Sequence, residues 1–223
     1  EHLSIDTYSR LFVQKILSEH DKCIYLDVDI IVKDDLAKLY NTSLDGKTIG
    51  ASICAVMSGW VNLDPQMKNY IQKDIGISEN CKYFQAGVLL FDLKKMRENN
   101  DQEKLIDIVN SEKWIFADQD VLNFYYKDDV KYIDMKWNYE YEHHDMLIAQ
   151  YKEMMPLEIL QKFIESKHNP SIIHYQGNIK PWNNPDEEHA SIWWYYARKS
   201  PFYEKIISNF IDYKNQNQMK NIN

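Results

Sequence analysis

Residues 22–32 read Lys-Cys-Ile-Tyr-Leu-Asp-Val-Asp-Ile-Ile-Val, an apolar run broken only by Asp27 and Asp29. Ile24, Tyr25, Leu26, Ile30, Ile31 and Val32 are the residue types of a buried strand. An apolar run without alternation predicts a strand covered on both faces, inside a mixed or parallel sheet. On a strand, residues i and i+2 point the same way, so Asp27 and Asp29 are expected to project together. Two neighbouring carboxylates repel and are costly to bury unless something positive meets them. Two readings follow: a divalent cation held by the pair, or a strand end emerging into solvent with both aspartates hydrated.

Working outward, a helix pattern precedes this strand, with Ile5, Tyr8, Leu11, Phe12, Ile16 and Leu17 at helical spacing and Ser4 or Asp6 as cap. After the strand come a brief helix over 35–40, a turn at Asp45-Gly46 and an apolar strand over 48–53. Residues 64–75 read as a helix opened by Pro65 and closed by Gly76. Residues 82–93, Lys-Tyr-Phe-Gln-Ala-Gly-Val-Leu-Leu-Phe-Asp-Leu, give the second strong strand signal. Ala86 and Gly87 at its entry allow a close approach of backbone to a ligand. A charged helix is expected over 94–111 and another over 121–126, opened by Asp118-Gln119-Asp120 where the helix dipole favours acids. A short strand (130–134), a long aromatic loop (136–151) and an amphipathic helix (156–167) follow. Ser171–Tyr175 is a strand delivering His174, and helices over 187–199 and 202–214 precede a frayed polar tail. Alternating strands and helices without repeats specify an α/β protein.

The 223 residues fit one large domain, or one with a small appendage. An apolar fraction of 44% and a charged fraction of 27% are those of a soluble globular chain. The net charge of −8 argues against a general nucleic-acid binder. It also means that an anionic substrate would need local cations or a metal. The three cysteines, Cys23, Cys54 and Cys81, have no ligand spacing and read as reduced core residues of a cytosolic protein. No apolar run is long enough to span a bilayer, and with no secretory signal read at the N-terminus the sequon at Asn41 reads as chance.

A third motif, residues 172–182, is Ile-Ile-His-Tyr-Gln-Gly-Asn-Ile-Lys-Pro-Trp. A His leaving a strand can ligate a metal through one nitrogen. Gly177 permits a tight turn, and Lys180 supplies a cation suited to phosphate. With the two aspartates, this donor set suits manganese better than zinc or calcium.

These blocks, with Ala-Asp-Gln-Asp-Val-Leu-Asn at 117–123 and Thr7-Tyr8-Ser9-Arg10, together resemble the family-eight retaining glycosyltransferases, in the same order, from about residue 2 to residue 202. The resemblance implies a GT-A-like α/β fold: a mixed sheet flanked by helices, with a catalytic domain over 1–185 and C-terminal helices and tail over 186–223. It implies transfer of a hexose (galactose or glucose) from a UDP-sugar to a saccharide or lipid-linked acceptor, with retention. Asp27, Asp29 and His174 would hold Mn2+, with Mg2+ as the alternative. Lys180 and the Gly177 backbone would hold the diphosphate, Arg10 would sit by the donor, and Val28 would meet the ribose through its backbone. Gln85, Ala86, Asp118 and Gln119 would border the donor sugar. Retention through a carboxylate nucleophile is the usual expectation, yet Gln119 stands at the matching place and an amide is a poor nucleophile. A same-face displacement, with Gln119 as electrostatic support and Asp118 binding donor hydroxyls, follows instead.

The sequence departs from the family in three respects. The strand-helix-strand portion that carries base contacts is not found ahead of residue 1, Gln85 replaces the usual Asn, and Cys54 stands where some relatives carry an acid. Two other readings compete. One is a non-catalytic nucleotide-sugar binder. The other is a haloacid-dehalogenase-like phosphatase, disfavoured because no later acidic pair follows. The run 193–199, Trp-Trp-Tyr-Tyr-Ala-Arg-Lys, reads either as a packed closing helix or as a peripheral contact with the inner face of an anionic membrane.

Overall fold

The computed structural model describes residues 5–78, 82–111, 114–141 and 146–220. Ser4, Cys81 and the side chain of Asp6 lie outside the described residues. The run at 22–32 is not one strand. It forms β1 (Lys22–Leu26) and β2 (Ile30–Val32), which belong to different sheets. The others are β3 (Ile49–Ile53), β4 (Phe84–Asp92), β5 (Val130–Tyr132), β6 (Tyr139–Glu140) and β7 (Ile172–His174). The first sheet runs β1-β4-β3-β5, antiparallel except for the parallel pair β3/β5. The second runs β2-β7-β6, with β2/β7 antiparallel and β6/β7 parallel. Both sheets are mixed, one of the two expected arrangements, but the strand buried on both faces is β4. All residues of β4 except Asp92 are buried, whereas β1 and β2 are only half-buried. β1 has one partner among the described strands, β4, which explains its exposure.

Helices cover the sheets: α1 (Val13–Ile16), α2 (Leu36–Tyr40), α3 (Ala55–Leu63), α4 (Pro65–Lys73), α5 (Leu93–Glu98), α6 (Asp101–Ser111), α7 (Ala117–Tyr126), α8 (Met146–Glu153), α9 (Leu157–His168), α10 (Ala190–Ala197) and α11 (Tyr203–Lys220). A 3-10 segment, Ile5–Phe12, leads into α1. Aspartates start several of them: Asp35, Asp64 and Asp92 accept from Ala37, Gln66 and Lys95 backbone N–H groups at 2.8–2.9 Å. The single helix expected over 94–111 is broken at Asn99-Asn100, where Asn100 takes φ 54°. Asp118 to Asp120 lie inside the first turn of α7 rather than before it. The expected loop 136–151 instead holds a 3-10 turn, β6 and α8, and the tail after 214 continues α11 to Lys220.

The core falls into several clusters, two of which meet on β4. Leu11, Leu105, Val121 and Leu122 pack on Ile49, Leu89 and Phe91 of the first sheet. Leu39, Trp137 and Ile172 meet Val88 between the sheets. Each fully buried side chain of this kind is worth about 1.5–3 kcal/mol of transfer free energy. One irregularity positions the site. The register passes from Ala51↔Leu89 to Ile53↔Phe84, so β4 bulges through Gln85, Ala86, Gly87 and Val88 opposite Ser52.

Candidate active site

Asp27, Val28 and Asp29 cross from the end of β1 to the start of β2. The pairing Ile30↔His174 brings His174 alongside them. His174 Nε2 lies 3.3 Å from Asp29 Oδ1 and 3.8 Å from Asp27 Oδ2. One ligand atom from each of the three residues falls within 4.8 Å of the others. The aspartates therefore converge through a crossing between sheets, not through the alternation of one strand. Two carboxylates and an imidazole fit a divalent cation with positions left for oxygen ligands. The cradle is tight on the protein side. A Cβ on Gly87 would stand 2.3 Å from His174 Cε1 and 2.8 Å from Asp27 Oδ2. The close approach expected at Gly87 is thus to these side chains.

Two cations brace the aspartates. Lys180 donates to Asp29 Oδ2 and to the Tyr175 carbonyl, each at 2.5 Å. Burial pushes the Asp29 carboxyl up, but His174 and Lys180 outweigh it and hold the group well below the usual carboxylate range. Arg10, 6% exposed, donates to Asp27 Oδ1 at 2.8 Å and to the Ala86 carbonyl at 2.5 Å. Its Nε lies 2.7 Å from Asp118 Oδ2, and its guanidinium stacks on Tyr25 at 4.4 Å. The Tyr25 hydroxyl also donates to Asp27 Oδ1, at 2.9 Å. Burial lifts Asp118 to about 6, against the pull of Arg10 and with help from the charges of Asp27 and Asp120.

The remaining expected residues cluster around this centre. Gln119 Oε1 accepts from the Ala86 N–H at 2.9 Å, tying the first turn of α7 to the β4 bulge. Gly177 takes φ 77° in the turn between His174 and Lys180. Val28 is fully exposed between the two aspartates. Gln85 turns its Oε1 inward, accepting from the Gly87 N–H and from Asn138 Nδ2. Asp120 does more than cap a helix: it accepts from the Tyr70 and Tyr83 hydroxyls and the Phe116 N–H, each at 2.6 Å.

Two buried residues escaped sequence reasoning. Asn138 bridges Gln85 and His174. Glu140, on β6, accepts from the Ala55 and Val56 N–H groups and from Gln176 Nε2, while Cys54 Sγ lies 3.7 Å from its Oε2. A carboxylate thus reaches the neighbourhood of Cys54 from another strand, and burial raises its pKa. Both residues lie in the aperiodic segment read as loop, where the only signal was their polarity among aromatics.

Residues 1–186 match the family described as "Glycosyl transferase family 8". Among curated proteins, General stress protein A of Bacillus subtilis (strain 168) is 24% identical over 189 residues, covering 82% of this chain and 61% of the relative. Among solved structures, the apo WbbM bifunctional glycosyltransferase superposes with a TM-score of 0.84 at 27% identity, covering 93% of this chain and 38% of that one. The galactosyltransferase LgtC, solved with donor and acceptor sugar analogues, gives a TM-score of 0.57 at 31% identity, covering 82% and 62%. This chain spans less than two thirds of the length of each. The arrangement of sheets and helices is the GT-A-like α/β fold that these neighbours share.

Proposed function

The chain belongs to glycosyl transferase family 8, and from that premise we propose that it transfers a hexose, galactose or glucose, from a UDP-sugar to a saccharide or lipid-linked acceptor with retention of configuration. The observation that carries this reading is the convergence of Asp27, Asp29 and His174 under Lys180 and Gly177, beside a second group made of Arg10, Asp118 and Gln119. Mn2+ held by Asp27, Asp29 and His174, with Mg2+ as alternative, would supply neutralisation of the charge that develops on the departing diphosphate. Lys180 would turn from Asp29 to the diphosphate and add a charge-assisted hydrogen bond. The Gly177 backbone would approach the same oxygens, and the backbone of exposed Val28 would meet the ribose.

On the sugar side, Gln119 Oε1 keeps one lone pair beyond its bond from Ala86 N–H and would face the anomeric carbon as positive charge develops. The acceptor oxygen would bond to that carbon on the face the diphosphate leaves, and the hydroxyl proton would depart with the diphosphate. Arg10 fixes Asp118 and the Ala86 carbonyl, and Asp118 would bind donor hydroxyls beside Gln85 and Ala86. We assign catalysis to residues 1–185. Trp194 is buried against Phe210, which supports the reading of 193–199 as a packed closing helix. A peripheral contact with the inner face of a membrane, the alternative, would fall to Tyr195, 52% exposed, and Phe202, 70% exposed, with Lys199 4.0 Å above the Tyr195 ring. No helix among the described residues is long and apolar enough to cross a membrane.

The test is calorimetric titration of UDP with Mn2+ and then with excess chelator, on the wild type and Asp29→Ala. Metal-dependent binding that disappears in Asp29→Ala is expected. Binding indifferent to chelator, or unchanged in the variant, would remove the metal site from the reading.

A further inference from the structure

A metal-binding imidazole must present a bare nitrogen, and which nitrogen is bare depends on where its proton is held. Around His174 that choice follows from a backbone group. The Gly87 N–H can only donate, and it donates to Gln85 Oε1, which fixes the oxygen end of that amide inward. Asn138 approaches the same oxygen at 2.6 Å, so the atom it offers must be its Nδ2–H. The opposite end of the Asn138 amide, Oδ1, then faces His174 Nδ1 at 3.0 Å. An acceptor at that distance requires the proton to sit on Nδ1. Nε2, 3.3 Å from Asp29 Oδ1, is left as the nitrogen that faces the aspartates and would give its lone pair to a cation when one binds.

We infer that Asn138 is the positioning residue of the metal centre. Through its amide it keeps the proton of His174 on Nδ1 and the ring aimed with Nε2 towards Asp27 and Asp29. Asn138 is 2% exposed, Gln85 7% and His174 2%, so water does not substitute for the amide. The chain Gly87–Gln85–Asn138–His174 also links the residue expected at the donor sugar to the metal-binding imidazole. A displacement of Gln85 is felt at Nε2. This inference rests on the reading of Asp27, Asp29 and His174 as a cation site.

The experiment uses the metal-free chain labelled with 15N at histidine, wild type and Asn138→Leu, with His174→Gln to assign the signals. In the wild type, His174 is expected to show a slowly exchanging Nδ1–H cross-peak. In Asn138→Leu that peak should vanish. Mn2+ affinity, read from the electron paramagnetic resonance of the unbound ion, should fall about 10–100-fold in Asn138→Leu. A wild type without the Nδ1–H signal, or a folded Asn138→Leu variant that keeps it, overturns the positioning role. Loss of Mn2+ binding in the wild type itself, with the Nδ1–H signal responding as expected, overturns the cation reading and leaves the tautomer assignment standing.

Discussion

Replacing Gly87 with Ala tests the tightness of the site at one atom. The added Cβ would lie 2.3 Å from His174 Cε1 and 2.8 Å from both His174 Nδ1 and Asp27 Oδ2. Carbon atoms rest at about 3.5–4.0 Å, so the ring or the bulge must retreat by more than about 1 Å. Neither moves easily. His174 is held by Asn138 and by the β2–β7 ladder, and the neighbouring residues of β4 are fully buried. The backbone of Gly87 lies outside the left-handed region, so the cost is collision and not strain. Overpacking of this kind costs about 1–3 kcal/mol. If the ring yields instead, Mn2+ affinity should fall about 10–100-fold, as for a displaced ligand partner. Urea denaturation reads the first quantity and Mn2+ titration the second. Gly50→Ala is the control. Its Cβ would meet Leu44 Cδ2 at 2.9 Å, the far end of a flexible side chain remote from the aspartates, so it should leave Mn2+ affinity unchanged. A Gly87→Ala variant with both stability and affinity intact would refute the reasoning.

Exchanging Lys180 for Ala should move two affinities in opposite directions. Mn2+ alone should bind a few-fold more tightly once the ammonium no longer competes for Asp29, while UDP in the presence of Mn2+ should bind more weakly by about 1.5–3 kcal/mol, the usual worth of a hydrogen bond to a charged group. Parallel calorimetric titrations check both, and a UDP affinity that holds would place the diphosphate elsewhere. Asp118→Asn should show in the pH dependence of stability. The carboxyl is raised to about 6 by burial. Its favourable contribution is therefore complete below the ordinary carboxylate value of about 3.9 and is lost as pH rises through about 6. Without metal, the variant should gain on the wild type across that window, by on the order of 2–3 kcal/mol. Urea midpoints at pH 4 and pH 7 that differ equally for both proteins would dismiss this.

What could be read in the sequence was whatever left a local imprint. The motif blocks carrying Asp27, Asp29, His174, Lys180, Gln85 and Gln119 sit at strand ends and turns, where apolar runs stop and polar residues begin. Composition locates such junctions, and the resemblance to the family, not composition, assigned their residues to a site. The α/β alternation and the helix starts at Asp35 and Asp64 were visible for the same reason. A continuous apolar run, however, carries no mark of where hydrogen bonding changes partner. β1 and β2 therefore read as one strand, although the chain leaves one sheet for the other at Asp27–Asp29.

The segment 136–151 shows the opposite limit. A two-residue strand and a four-residue 3-10 turn are too short to display a period, and their place is decided by partners far away in sequence. Tyr139 and Glu140 pair with Ile173 and His174, and Asn138 meets Gln85, 53 positions earlier. Those long-range pairings set the orientation of the imidazole and bring a buried carboxylate to Cys54. The residues that offer lone pairs or charge to a ligand announce themselves as polar groups beside apolar strands. The residues that aim them do so only through contacts that folding creates, and for that reason Asn138 and Glu140 required the structure.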